Sequence, residues 1–301
     1  MRATARRVGR VLEGPNFPWV LLVPSLVLVL IFIAYPLYRG IILSFSRNRL
    51  LEGPETTFVG LENFRYMLQD PQVFIATKNT LIYLVVGLIT QITLGMAAAL
   101  LLNKPRRFIM LIRLIVILPW FVPPVTTAYM WRFMLDADFG IATKLATYVG
   151  IDIGGAGLWA DPSKTLYGIL FVELWRSFPF FMLFFLAGLQ GIPSELRDSA
   201  AVDGASSFQF FRHVTIPLIA PIIFISSLLE AIKLINSPTL VLLMTSGGPG
   251  DASLVLPLLA FRQAFQAFDF GYGSSISVAV LISIAGFAIV YIRAAGYRKE
   301  E

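Results

Sequence analysis

The apolar residues of this chain gather into runs about as long as a bilayer is thick, instead of recurring at the spacing of a half-buried helix. The runs are Trp19 to Tyr38, Leu81 to Leu102, Phe108 to Met130, Leu166 to Leu189, Leu218 to Met244 and about Ser274 to Ile292. This pattern predicts an all-α membrane protein, a polytopic bundle of about six transmembrane helices. The second run carries no charge. The third contains Pro119, Pro123 and Pro124, which predicts a kinked helix packed inside the bundle, where neighbours can satisfy the freed carbonyls. The first run follows a basic segment but is too long for the core of a signal peptide, so a retained span is expected. The organisation is a basic segment over 1–18, a membrane domain over 19–292 and a tail over 293–301.

The chain is 57% hydrophobic and 14% charged, an apolar excess that lipid must cover. The formal net charge of +6 matters through its placement. Arg2, Arg6, Arg7 and Arg10 precede the first run, Lys104, Arg106 and Arg107 occupy a short link, and Arg293, Arg298 and Lys299 follow the last. This is a positive-inside bias and not a surface for nucleic acid. Both termini are therefore expected in the cytoplasm, with the chain in the plasma (inner) membrane. Links 103–107 and 190–216 fall inside, and 46–79, 135–165 and 246–273 fall outside. The outer link 135–165 agrees, holding Asp136, Asp138, Asp152 and Asp161 against Lys144 and Lys164. No internal repeat is evident.

Enzymatic chemistry lacks parts. The sequence has no cysteine and one histidine, His213, so thiolate and histidine-rich metal sites do not form within one chain. Gly247, Gly248 and Gly250 surround Pro249, but no Lys-Ser/Thr follows as a phosphate loop requires. No catalytic residue, metal or cofactor is expected. Charges inside the spans say more. Glu173 and Arg176 lie three apart in the fourth run, as do Glu230 and Lys233 in the fifth, with Asn236 one turn further on. Each such charge costs about 2.5–3.5 kcal/mol to insert, so all should face the bundle interior as neutralised i,i+3 pairs. They either line a translocation path or only fix helix packing. Arg113 and Arg132, near span ends, are expected to reach toward the interface.

The inner link carries the most specific pattern. Pro193 and Ser194 can open a short helix, Gly204 can end it with a left-handed residue, and Ser206 with Gln209 matches a capping box for a second helix. Pro217 marks an expected break before the fifth span. The product is a helix-glycine-helix elbow exposed to the cytoplasm, whose order and polarity suit docking a soluble partner, with plain surface packing as the alternative.

At this link the sequence resembles the permease subunits of bacterial ATP-binding-cassette importers, whose loop reads Glu-Ala-Ala-x-x-Asp-Gly-Ala, then an aromatic segment and Leu-Pro or Ile-Pro. Asp198, Ser199 and Ala200 occupy the Glu-Ala-Ala positions, Asp203, Gly204 and Ala205 match, and Ile216-Pro217 closes the pattern. Residues 58–64 (Phe-Val-Gly-Leu-Glu-Asn-Phe), Asn79-Thr80 and 245–249 (Thr-Ser-Gly-Gly-Pro) resemble the carbohydrate-uptake branch. The resemblance implies that Arg197 to Ala205 forms the ATPase-coupling loop. It also implies three partners: a second homologous permease, a cytoplasmic ATP-binding-cassette ATPase dimer and an extracytoplasmic solute-binding protein. The implied cargo is a sugar or related polyol, with a glycerol phosphate ester as the alternative. A proton-coupled secondary transporter using Glu173 or Glu230 is a rival of another class, and a membrane-embedded hydrolase a remoter one.

Overall fold

A computed structural model describes residues 17–53, 55–104, 107–150 and 158–294. The basic segment before Phe17, Arg106, Asp152, Arg298 and Lys299 lie outside the described residues. Among the described residues the regular structure is helical, apart from one antiparallel pair of two-residue strands, β1 (Ser46–Arg47) and β2 (Thr57–Phe58). Five helices among the described residues are long and apolar enough to span a membrane, and six if one bent pair counts as a single span.

The first span joins α1 (Phe17–Val29) and α2 (Tyr35–Ser44) through a π turn at Leu30–Ala34. Its first part is exposed along its length, and α2 leans on the last helix. After the short α3 (Glu62–Met67), the long α4 (Pro71–Leu102) begins on a firm cap. Asp70 Oδ1 accepts the Gln72 N–H at 2.9 Å, and Pro71 fills the first helical position, where no N–H is needed. The other carboxylate oxygen accepts the Tyr272 hydroxyl at 2.6 Å, which fixes the top of α4 against the last span.

The third apolar run does not form one kinked helix. It splits into α5 (Ile109–Phe121) and α6 (Pro124–Met134), bent by 97°. Pro123 and Pro124 in succession remove two donors, and Val122 takes an extended conformation, as a residue before proline prefers. The short α7 (Ile141–Tyr148) leads to α8 (Thr165–Gln190), and then α9 (Ser194–Val202) and α10 (Ser207–Phe210) form the elbow. A π turn at Phe211–Thr215 joins α10 to α11 (Ile216–Asn236).

The expected break at Pro217 is absent. The π turn sends the Ile216 N–H to the Phe211 carbonyl, one residue further back than an α-helix does, so the carbonyl ladder is already displaced where the proline ring arrives. Pro36 follows the first π turn in the same way, with the Tyr35 N–H on the Leu30 carbonyl. The fifth run instead breaks at its other end. Helix α11 stops at Asn236, and α12 (Thr239–Thr245) restarts beyond Ser237 and Pro238. The stretch 246–273, expected as a plain outer link, holds α13 (Leu256–Phe265), whose Leu258 and Leu259 are buried. The last span is α14 (Phe270–Ala294).

The core is in two parts. One cluster joins α4, α6, α8, α11, α12, α13 and α14 through Tyr83, Trp131, Ile169, Leu234, Leu240, Leu258 and Ile276. The other lies toward the elbow and joins α4, α8 and α11 through Met96, Phe181, Phe185, Leu189 and Ile219. The α4–α8 contact is the most extensive between any two helices. Gly95 makes it possible, since a Cβ there would lie 2.4 Å from Phe181 Cβ and 3.1 Å from the Met182 backbone nitrogen. At Gly286, in α14, a Cβ meets nothing within 4 Å. Gly95→Ala therefore forces the two helices apart and is expected to destabilise by about 1–3 kcal/mol, the usual range for overpacking. Gly286→Ala should leave stability level or raise it through helix propensity. Thermal unfolding of the two purified variants in one detergent checks this, and equal midpoints would contradict the close-packing account.

Candidate functional site

Between the two apolar clusters lies a polar layer, built by α4, α8 and α11. Arg176 Nη2 lies 2.9 Å from Glu173 Oε1, and Lys233 Nζ lies 2.6 Å from Glu230 Oε1, so both i,i+3 pairs form. The sequence does not disclose how they join. Lys233 Nζ also lies 3.3 Å from Glu173 Oε1 and donates to Ser177 Oγ at 2.9 Å, while Ser177 Oγ donates to Glu173 Oε1 at 2.6 Å. One ammonium thus sits among three oxygen atoms from two helices, and the four charges sum to zero. The carboxylate side chains are 3–4% exposed, Arg176 is 11% exposed and Lys233 36%. Lysine is the member of the set that meets open space. Gln91 of α4 is fully buried, and neither of its amide atoms has a partner among the described residues.

Asn236 stands apart from this network. Its Nδ2 donates to the Ile232 carbonyl at 3.0 Å, and its side chain borders a separate cavity of about 250 Å³ with Phe261, Phe265 and Ser277. Aromatic side chains that sequence reasoning passed over flank the layer. Trp131 of α6 meets Trp175 of α8 edge-on, with ring centroids 5.4 Å apart. Arg113 and Arg132 do more than reach outward. Arg113 Nη2 donates to the Leu102 carbonyl at 2.7 Å, and Arg132 Nη1 lies 3.4 Å from the Leu243 carbonyl. Each cation thus meets the negative end of a neighbouring helix.

The elbow has the geometry its local chemistry dictates. Helix α9 ends in a Schellman motif: the Ala205 N–H reaches the Ala200 carbonyl at 2.9 Å, and the Gly204 N–H the Ala201 carbonyl at 3.2 Å. Gly204 takes φ +74°, a conformation open to glycine, while a Cβ there would meet nothing within 4 Å. The constraint at 204 is conformational and not steric. Ser206 and Gln209 complete the capping box, with the Ser206 N–H donating to Gln209 Oε1 at 2.7 Å and the Gln209 N–H to Ser206 Oγ at 3.3 Å. The Arg197 guanidinium lies 5.8 Å from the Phe210 ring centroid and ties α9 to α10. No residue of α9 is buried, and Asp198, Ser199 and Asp203 all face outward. His213 is exposed, with its Nδ1 3.0 Å from the Gln209 carbonyl oxygen.

The three flanking motifs meet at the opposite end of the bundle, where they hold backbone together. Asn63 Nδ2 donates to the carbonyls of Ser44 and Ser46 at 3.0 and 2.9 Å, closing the end of α2. Asn79 Nδ2 reaches the carbonyls of Asp251, Ala252 and Leu254 at 3.0–3.2 Å, and Thr80 Oγ1 accepts the Leu256 N–H at 2.9 Å. The Asn79-Thr80 pair therefore clamps the loop that begins at Thr245-Ser246-Gly247-Gly248-Pro249. Asp251 binds Arg262 at 2.9 Å and Gln72 at 2.8 Å, which completes the clamp.

Comparison with known proteins agrees with this geometry. Residues 91–297 match the family described as binding-protein-dependent transport system inner membrane component. The trehalose/maltose transport system permease protein MalF of Thermococcus litoralis is 30% identical over 94% of this chain and 94% of its own. The sulfoquinovosyl glycerol transport system permease protein SmoG of Agrobacterium fabrum is 28% identical over 91% of this chain and 88% of its own. The fold also matches a crystal structure of a bacterial ABC transporter involved in the import of the acidic polysaccharide alginate, with a TM-score of 0.83, 19% identity and coverage of 98% of this chain and 100% of that one. With six apolar runs, an exposed helix-glycine-helix elbow and a family match across more than two thirds of its length, this chain belongs to the inner membrane components of binding-protein-dependent transport systems.

Proposed function

We propose that the chain is one half of the membrane path of an ATP-driven importer for a sugar or related polyol. A second permease completes the path, an extracytoplasmic binding protein delivers the solute, and an ATPase dimer docks on the elbow. The observation that carries the reading is α9, a helix with no buried residue, stopped by a Schellman glycine and braced against α10. Such a helix contributes nothing to the bundle's own core and presents its polar face to a partner. Its Arg197, Asp198, Ser199 and Ala200, with Asp203, Gly204 and Ala205 at the turn, form the coupling segment.

The breaks at Val122-Pro123 and Ser237-Pro238 support a path through the bundle. Irregular backbone at membrane depth survives only where protein buries it or water reaches it. The helices that follow the two breaks, α6 and α12, pack on each other, so both interruptions serve one region. Lys233 and the Trp131–Trp175 pair flank it, and together they offer the hydrogen-bonding and aromatic surfaces that hold a polyol. The names of the relatives support a sugar as cargo. The ligand of the partner binding protein, found by a thermal-shift screen of sugars against glycerol phosphate esters, decides between the two solute classes. The proton-coupled alternative loses ground because Glu173 and Glu230 are both already matched by cations. Uptake in energised vesicles that survives an uncoupler and stops on ATP depletion is the expected result.

Orientation is open to labelling, since the sequence has no cysteine of its own. Thr57→Cys and Ser163→Cys, both at exposed positions, should react with an impermeant thiol reagent in intact cells, and the equally exposed Ser207→Cys should not. Reaction at 207 would reverse the topology and place both termini outside.

The layer makes a graded prediction. Lys233→Met leaves Glu230 buried without a cation and deprives Glu173 of one of two, so it should be the most damaging change, at about 3–5 kcal/mol. Glu230→Gln leaves Lys233 against Glu173 and should cost less. The double variant keeps Glu173 with Arg176 and should recover part of the Lys233→Met loss. Amount of inserted protein and uptake rate, measured for all three, check the order, and strictly additive losses would argue for independent charges.

At the elbow, Gly204→Val meets open space but must hold a left-handed conformation at about 1–2 kcal/mol or lengthen α9 and turn the elbow away. The variant should insert normally yet lose both uptake and the stimulation of ATP hydrolysis by loaded binding protein. Gly204→Asn, which tolerates that conformation, should retain most of both. ATPase activity of the purified complex in lipid gives the readout. Full stimulation in Gly204→Val would remove 197–205 from the coupling role.

A further inference from the structure

The elbow encloses a second cavity, of about 390 Å³, between α9, α10 and the adjoining ends of α4 and α8. Its lining is divided. Lys104 and Arg197 supply two cations, and neither forms an ion pair among the described residues. Leu100 and Leu189, near the ends of two spans, supply an apolar wall. Thr215 also lines the space. It is 4% exposed.

We propose that this cavity binds the phosphate of an anionic phospholipid from the surrounding bilayer. The phosphate oxygens would accept from Lys104, Arg197 and Thr215, and an acyl chain would leave along Leu100 and Leu189. Two unpaired cations on one cavity repel each other, and an anion between them removes that repulsion while forming charge-assisted hydrogen bonds. Basic pockets between helices at a bilayer surface are suited to such head groups. Of the coupling segment, Arg197, Ala200 and Ala205 line the cavity and Asp198, Ser199 and Asp203 do not, so the lipid would take the inner side of the elbow and leave the outer side to the ATPase. The bound lipid would then brace the elbow from beneath. The inference rests on the elbow lying at a bilayer surface and does not need the transport reading.

The experiment is native mass spectrometry of the full chain in its assembled complex, released from nanodiscs of phosphatidylcholine with added phosphatidylglycerol. Lipid retention is read without solute or ATP, so its failure is separable from failure of the proposed transport. The unaltered chain should retain phosphatidylglycerol in preference to phosphatidylcholine. Lys104→Gln and Thr215→Val should each lower that retention, the former by about tenfold for one lost charge-assisted contact, and Lys104→Arg should preserve it. Unchanged thermal unfolding of Lys104→Gln would show that the loss is local. Three results would overturn the proposal: equal retention by Lys104→Gln, displacement of the lipid by inorganic phosphate, which would make the cavity a soluble-anion site, or loss of the lipid whenever the ATPase subunits are bound, which would make it part of their interface.

Discussion

The bundle depends on keeping two carboxylates ionised where water is scarce. Glu173 and Glu230 are almost wholly buried, and either one alone would carry a desolvation penalty of several kcal/mol. Arg176 neutralises the first along its own helix, but Lys233 has to serve both, and this fixes the height and rotation of α11 against α8. An apolar contact can slide by part of a residue with little loss. A lysine held among three oxygen atoms cannot, so the layer sets the register between the helices that the two apolar clusters then fill. Its cost also argues for use, since leucines would pack the same space more stably.

Proline shapes the rest, in two opposite ways. At Val122-Pro123-Pro124 and at Ser237-Pro238 it ends a span and redirects the chain into a short helix, and α6 and α12 lie against each other as a result. At Pro36 and Pro217 it ends nothing, because a π turn just before it has displaced the carbonyl with which the ring would collide. The same residue is a break or a passenger according to the five residues that precede it.

This difference explains what could be read from the sequence. The apolar runs disclosed the class of fold and most of the spans, since lipid imposes a length rule that each segment obeys by itself. The elbow was legible almost to the residue, because Gly204, Ser206 and Gln209 act on backbone within five positions of themselves. The break at Ser237 was hidden inside a run that stays apolar to Met244, and Pro217 drew the break to the wrong end. The Lys233–Glu173 contact and the grip of Asn79 on the loop after Gly250 join residues 60 and more than 170 positions apart, and no local pattern announces them. Asn236 shows the converse. Its spacing from Lys233 suggested one cluster, yet its side chain turns to α13 and α14 instead.

One mechanical consequence follows from the continuity of α10, the π turn and α11. From Ser207 to Asn236 the chain is a single helical rod, so the elbow and the charged layer are ends of one element, about 40 Å apart at helical rise. With Arg197 stacked on Phe210, α9 is tied to the near end of that rod. A partner that displaced α9 would therefore move α11 axially or by rotation instead of bending it, and the first contacts to change would be those of Lys233. Its three oxygen partners lie on two helices, so a shift small enough to keep Glu230, on the same helix, would still part the ammonium from Glu173 and Ser177. The network is neutral before and after that exchange. A lysine that keeps one carboxylate and releases another can shift without ever exposing an uncompensated charge, and that is what the proposed transport path would require of a moving part inside a low-dielectric bundle.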